Sequence, residues 1–341
     1  MSRLNIFLKD KNKKSPFRLL YELAHFSWVK KELPQVYIGK RLYRREVKNY
    51  LNYLSTNEID KITNSKKLHK PIYSGILRNK LFFAYHLEHL DLPTPKLLGH
   101  NFKKFFVFNS NKVTVHNNQD LFSFFKNYLE EHNLQGIFVK PLDDNGGKGC
   151  HLLTLKTLSH IIEKKASTLL GGDFIYQEVV IQHEAINKIY PHSINTIRFT
   201  TFMDTTGKTQ ILSAMMRFGN NGSVVDNSSS GGFYVSIDLN KGILKGQGNQ
   251  AMKHGGNTFE KHPETGFKLD GFKIPYYEQA CKLIQQVNQS IPERIVGWDI
   301  AIATDGPVLI EGNDNNSWFG VDIAHGGLLE NPLMTKILKE A

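Results

Sequence analysis

The stretch GWDIAIATDGPVLIEGN, residues 297–313, constrains the fold most. It reads as two short strands around a turn at Asp305-Gly306. Side chains alternate across a strand, so Ile300 and Ile302 point away from Asp299, and Val308 and Ile310 point away from Glu311. The two apolar faces have to pair in a core. Asp299, Glu311 and Asn313 are then left on the other face. Two carboxylates and an amide oxygen suit a hard cation such as Mg²⁺, and a salt-bridged pair is the alternative reading. That shared face requires a three-residue loop or a bulge around 305–307, with Gly306 able to take a positive φ.

Two further segments carry chemistry. In IFVKPLDDNGGKGCHLL, residues 137–153, a buried strand ends at Lys140-Pro141. A polar loop with Gly146, Gly147, Lys148 and Gly149 then leads into another strand. Glycines let backbone N–H groups approach a phosphate, and a lysine adds a point charge. The segment is not a Walker loop, because strand follows where a helix would be needed. An ordinary hairpin loop is the plain alternative. In the third segment, residues 193–232, Arg198 and Arg217 lie on consecutive strands and the polar run Asn227–Gly232 follows. Planar guanidinium forks bind carboxylates and phosphates, so this segment reads as an anion-handling floor.

The remaining chain fits an α+β architecture with a helical start. Residues 18–33 and 44–62 place apolar residues at helical spacing, and residues 79–90 form a third helical pattern. Strands and helices alternate after that, and the chain is strand-rich from Asn195. The expected organisation is a helical lobe over 1–75, an α/β part over 76–185 and a second α/β lobe over 186–341. The net charge is +11 in 341 residues, but residues 1–80 hold 19 Lys and Arg against 6 acidic residues. The basicity therefore belongs to the N-terminal segment, which suggests an acidic partner there. Two cysteines, Cys150 and Cys281, exclude a disulfide scaffold and a four-cysteine zinc site. No stretch approaches the roughly 18 apolar residues of a spanning helix. A cytoplasmic chain is expected, with peripheral attachment at the inner face of the membrane as a further option. No nucleic-acid motif accompanies the basic segment, so nucleic acid is not an expected partner.

Taken in order, these segments resemble the ATP-grasp superfamily over residues 78–325. N-K-L-F-F with the following P-T-P is similar to its entry segment, which implies a phosphate contact for Lys80. F-V-K-P and the glycine loop resemble its second phosphate lysine and lid, at Lys140 and Gly146–Gly149. Y-Q-E-V-V resembles its adenine hinge, implying Glu178 and the Val180 backbone as contacts, with His183 or Glu184 toward the ribose. N-T-I-R, A-M-M-R and N-x-S-x-G-G resemble elements of amino-acid-adding members, the polypeptide glutamate ligases. They imply substrate contacts at Asn195, Arg198, Asn227, Ser230 and Gly231, and a catalytic role for Arg198 or Arg217. D-x11-E-x-N resembles the metal-holding strand pair at Asp299, Glu311 and Asn313. S-I-N-T-I-R, G-W-D-I-A and the helical start are most similar to the sugar-transfer-associated ATP-grasp group, which is linked to capsule and exopolysaccharide synthesis.

The resemblance implies an ATP-grasp fold, with two α/β lobes of mixed or antiparallel sheets gripping ATP behind a basic helical lobe. It implies an ATP-dependent, ADP-forming acid–amine ligase working through an acyl phosphate, with ATP and Mg²⁺ or Mn²⁺ as cofactors. The substrates would be a small carboxylate and an amine acceptor, such as an amino sugar or peptide, in glycan modification. A catalytically weak ATP-binding or scaffold protein of polysaccharide assembly is the alternative. Residues 1–75 would meet an anionic membrane surface or a phosphorylated glycan carrier. Replacing Asp299 by Asn or Glu311 by Gln is expected to stop ADP formation and to leave the fold intact.

Overall fold

The computed structural model describes residues 3–142 and 149–341. Five helices open the chain: α1 (Arg3–Lys9), α2 (Pro16–Lys30), α3 (Gln35–Gly39), α4 (Thr56–Thr63) and α5 (Pro71–Arg78). Next come α6 (Lys80–His89), β1 (Leu97–Phe102), β2 (Phe105–Phe108), β3 (Asn111–Thr114), α7 (Asn118–Glu131), β4 (Ile137–Pro141), β5 (His151–Leu153), α8 (Leu158–Gly171) and β6 (Asp173–Glu178). The last part runs α9 (Glu184–Asn187), β7 (Thr196–Met203), β8 (Thr209–Phe218), β9 (Phe233–Asp238), β10 (Ile243–Gln250), β11 (Thr258–Phe259), α10 (Tyr277–Ser290), β12 (Ile295–Ala303), β13 (Gly306–Asn313), α11 (Trp318–Ala324) and α12 (Pro332–Glu340).

Two compact units result. One holds residues 75–181 and 308–311, the other residues 1–74, 182–307 and 312–341. The helical N-terminal segment thus shares a unit with the C-terminal sheet. In the smaller unit a sheet of order β3-β2-β1-β6-β4-β5 pairs antiparallel throughout its described ladders. Its core joins Phe106, Phe108 and Tyr176 of the sheet to Phe125 of α7 and Leu169 of α8. Asn79 caps α6 by accepting from the backbone N–H groups of Leu81 and Phe82, which sets Lys80 at the first helical position.

The larger unit contains a sheet of order β11-β10-β9-β8-β7-β12-β13. Strand β7 is buried along all eight residues, although it carries four threonine or arginine side chains. Its two faces divide cleanly. Phe199 stacks on Tyr277 of α10, and the Thr201 hydroxyl donates to Asn288 of the same helix at 2.6 Å. Thr196, Arg198 and Thr200 point to the other face, opposite α10. The connection from β12 to β13 is two residues, Thr304–Asp305, where the sequence reading expects a three-residue loop or a bulge around 305–307. Gly306 opens β13 at φ +144°, a conformation that needs glycine.

The N-terminal segment differs from its sequence reading. The helix over 18–33 forms as α2, but the pattern over 44–62 does not give one helix. Residues 44–55 form turns and a short 3₁₀ piece at Tyr50–Asn52. Tyr50 and Tyr53 pack into a local core with Phe26 and Tyr37. The helix begins only at Thr56, where Ser55 and Glu58 form a capping box. Tertiary packing and a strong cap overrode a periodicity that fits both conformations.

A buried ion pair fixes this segment to the C-terminal helices. Lys40 Nζ lies 2.5 Å from Asp322 Oδ2 of α11, with both side chains fully buried. Lys40 also donates to the Leu54 carbonyl at 2.6 Å, and Asp322 accepts from the Leu54 and Leu328 backbone N–H groups. Burial pushes the Lys40 ammonium down and the Asp322 carboxyl up, and each partner's charge pulls back against that shift. Removing one charge strands the other. Lys40→Met should therefore lower unfolding free energy by about 3–5 kcal/mol, and Lys40→Met with Asp322→Asn by less than the sum of the single losses. Urea denaturation measures both, and a Lys40→Met loss under about 1 kcal/mol would contradict the pairing.

His325, just after α11, lies against the Ala214 carbonyl and the Ser236 hydroxyl. Burial lowers its pKa to about 4. The unfolded chain takes up a proton near pH 6.5 that the folded chain refuses, so the stability present above that pH is lost as pH falls toward 4. His325→Gln should flatten the fall in melting temperature between pH 6.5 and about 4. An unchanged pH profile would reject His325 as a source of acid sensitivity.

Candidate functional site

The face of the large sheet opposite α10 carries a charge network. Asp299 of β12 sits directly across from Arg198 of β7 in the ladder. Its carboxylate is 1 % exposed and takes both arms of the Arg198 fork, the Nη2–Oδ2 arm at 2.9 Å. Arg217 of β8 adds a second guanidinium, with Nη2 2.7 Å from the same Oδ2. Arg217 also donates from Nε to the Thr196 hydroxyl at 3.0 Å, and its Nε is 3.4 Å from Asp226. Asp226 in turn accepts from the Thr196 backbone N–H and hydroxyl at 2.8 and 2.6 Å. One carboxylate between two guanidiniums, with a second carboxylate beside them, balances the charge inside a sheet.

Gly297 makes room for this arrangement. A Cβ there would lie 2.8 Å from Asn316 Oδ1 and 3.1 Å from Arg198 Nη1. Asn316 donates to Thr200 at 2.9 Å, while its buried Oδ1 has no hydrogen-bond partner among the described residues. Thr196, Asp226, Gly297 and Asn316 were not singled out from the sequence. Threonine on a central strand and a lone acid before a polar run carry no signal until the strands are paired.

The residues expected at the metal need separate description. Asp299 supplies two oxygens, but N–H donors already engage both. Glu311 and Asn313, two apart on β13, are half-buried. Oxygen donors of these kinds suit Mg²⁺, but those of Asp299 already take guanidinium N–H groups. Two guanidiniums meet the Asp299 carboxylate, which argues against the expectation that Asp299→Asn leaves the fold intact.

Of the residues expected at substrate, Asn227 lines a cavity of about 480 Å³, together with Arg217, which was expected in catalysis. Asn195 faces inward and is fully buried. Its amide donates to the Gln182 side chain and to the Tyr190 and Ser193 carbonyls, and its oxygen accepts from Ser193 and Gly219. It orders the start of β7. Gly231 holds φ +100° after the short helix Ser228–Ser230, and its carbonyl accepts from Gln250. Ser230 closes that turn through its backbone N–H to the Asn227 carbonyl.

Of the residues expected at nucleotide, Lys80 Nζ lies 3.4 Å from the Leu142 carbonyl. Lys140 projects from β4 with its ammonium 5.5 Å from the centre of the Phe138 ring. Glu178, at the end of β6, lies 3.5 Å from Lys96, and Val180 follows in the connection after β6. His183 Nδ1 accepts from the Ala185 backbone N–H and so caps α9. Gly149 has φ +70°. Gly146, Gly147 and Lys148 lie outside the described residues.

No curated protein sequence matches the chain. Among solved structures the chain is similar to the ATP-grasp ligase PsnB complexed with minimal precursor, with 13% identity and a TM-score of 0.43, covering 80% of this chain and 64% of that one. It is also similar to the D-alanyl-alanine synthetase A of Vibrio cholerae, with 13% identity and a TM-score of 0.47 over 80% and 67% of the two chains. The chain thus spans about two thirds of the length of these proteins. A sequence-family model described as sugar-transfer associated ATP-grasp matches residues 63–337. With most of its length inside that match, the chain belongs to the sugar-transfer associated ATP-grasp family.

Proposed function

We propose that the protein is an ATP-dependent, ADP-forming ligase that joins a carboxylate to an amine during glycan or polysaccharide synthesis. The observation that carries the reading is Arg217. This guanidinium is tied to Asp299 and Thr196, yet it also forms part of the wall of a substrate-sized cavity. A cation held by fixed partners costs little reorganisation when negative charge develops beside it.

In the proposed reaction a substrate carboxylate oxygen bonds to the γ-phosphorus of ATP and the bond to ADP breaks. The amine then bonds to the acyl carbon, phosphate leaves, and the amine loses a proton. Such transfer depends on positioning and charge neutralisation more than on a covalent nucleophile. Lys80 and Lys140 bind the phosphates. Arg198 orients Asp299, and Asp299 orients Arg217. Glu311 and Asn313, with Asp299, would hold Mg²⁺ or Mn²⁺, which would neutralise phosphate charge when bound. Glu178 and the Val180 backbone would meet the adenine, with His183 beside the ribose. The glycan setting rests on the family description alone.

The basic N-terminal segment suggests a location for this chemistry. Helix α2 exposes Phe17, Leu20, Tyr21 and Trp28 on one side, each at least 65% exposed. Their three- and four-residue spacing makes one apolar stripe, and Lys9, Lys11, Arg18 and Lys31 are exposed nearby in sequence. Aromatic residues with basic neighbours suit an anionic membrane surface. Among the described residues no helix is long and apolar enough to cross a membrane.

Lys80→Met or Lys140→Met should weaken ATP binding by about 1.5–3 kcal/mol, as expected for a lost charged hydrogen bond. Calorimetric titration with an ATP analogue measures this, and unchanged affinity in both variants would reject the phosphate assignment. Glu311→Gln should abolish ADP release while the melting temperature stays near wild type, and wild-type turnover would reject the metal role. Phe17→Ser with Trp28→Ser should remove flotation with phosphatidylglycerol vesicles at low salt. Equal flotation of the variant and the parent would reject the membrane contact.

A further inference from the structure

The cavity beside Arg217 is built by the N-terminal helices as much as by the sheet. Arg3 of α1 and Arg41, just after α3, line it together with Arg217 and Lys253. No Asp or Glu belongs to its wall among the described residues. Four cations therefore surround about 480 Å³ without an acidic residue between them.

Arg41 is the most informative of the four. It is 3 % exposed, and its backbone takes the left-handed conformation at φ +60°, which is uncommon outside glycine. Its hydrogen bonds go to the Gly256 carbonyl at 2.5 Å, the Asn257 carbonyl at 3.4 Å and the Asn249 side-chain oxygen at 2.9 Å. All are neutral acceptors. No described carboxylate forms an ion pair with it, whereas buried Arg198 and Lys40 each have one. A buried cation without a counter-ion is costly, and it persists where an anion completes the site. Neither Arg3 nor Lys253 has a carboxylate partner among the described residues.

The rest of the wall limits what that anion carries. Tyr234 and Phe319 supply rings. Asn227 and Gln250 supply amides. Rings and amides around charged groups fit a polyhydroxylated body of a few ring atoms. We infer that this cavity binds an anionic sugar, phosphorylated or carboxylated, and that Arg3 and Arg41 of the N-terminal helices are its specificity-determining residues. The inference rests on the ligase reading for the identity of the site as the substrate site. Its physical content, anion binding, does not need turnover.

Glucose 1-phosphate, glucuronate and uncharged glucose are the probes, titrated calorimetrically into full-length protein saturated with Mg²⁺ and a non-hydrolysable ATP analogue. That analogue occupies the phosphate lysines, so a charged probe reports on the cavity. Glucose 1-phosphate, glucuronate or both should bind, and glucose should not. A preference between the two acids identifies the anionic group. Arg3→Gln and Lys253→Gln, both at exposed positions, should each weaken the charged probe about tenfold. Arg41→Gln should abolish its binding, provided that its melting curve stays cooperative. Binding of neither acid would overturn the inference, as would equal affinity in the Arg3→Gln, Lys253→Gln double variant. Analogue binding without sugar binding defeats this inference alone, whereas failure of the analogue to bind defeats the ligase reading.

Discussion

The larger unit depends on one buried carboxylate. Asp299 stands on β12, next to the edge strand of a seven-stranded sheet, and holds Arg198 in a fork and Arg217 by a further contact. Without it, Arg198 would lose its carboxylate, and Arg217 would lose one of its two, keeping Asp226. A desolvated charge costs several kcal/mol when uncompensated, so the position cannot serve only as a ligand that comes and goes. The same constraint confers a benefit. In the proposed reaction the Arg217 guanidinium would be aimed before substrate arrives, and preorganised dipoles and charges need no rearrangement during reaction. Gly297 and Asn316 are part of this arrangement, because the space around Arg198 is too small for a Cβ.

The N-terminal helices extend the logic. The family match begins at residue 63, so most of these helices lie before it. Yet Lys40 is locked to Asp322, and Arg41 ties to the segment after β10 through Asn249, Gly256 and Asn257. They are structural components of the same compact unit, and they line its cavity. Two buried cations next to each other in sequence do different things. Lys40 has its counter-ion and anchors the helices, while Arg41 has only neutral acceptors and is left to a ligand.

Much of the fold was legible because the periodicities were unambiguous. The strands around Arg198 and Arg217, the helix at 277–290 and the final strand pair follow directly from alternation and from turn residues. The segment 44–62 was not legible. Its apolar spacing fits a helix, but Tyr50 and Tyr53 are drawn into the core around Phe26 and Tyr37, and Ser55 restarts the helix late. The site was legible by residue type and not by connection. Asp299 could be picked as an oxygen donor, whereas its arginine partners follow only from the order β8-β7-β12 and the pairing of residue 198 with 299. Asn195 looked like a substrate contact, but its whole side chain is spent on Gln182, Tyr190, Ser193 and Gly219. Arg3 and Arg41 gave no signal beyond net charge, because nothing local marks a basic residue as a cavity wall.

The central claim is that Asp299 is first the counter-ion of two arginines, buried Arg198 and half-buried Arg217. Equilibrium unfolding of Asp299→Asn in denaturant tests it most directly. The geometry predicts a loss of about 3–5 kcal/mol, the range for breaking a buried pair from one side. A variant within about 0.5 kcal/mol of wild type, the range of surface substitutions, would contradict the claim. The arginines would then hold their places without Asp299, and the network would not be what orders the site.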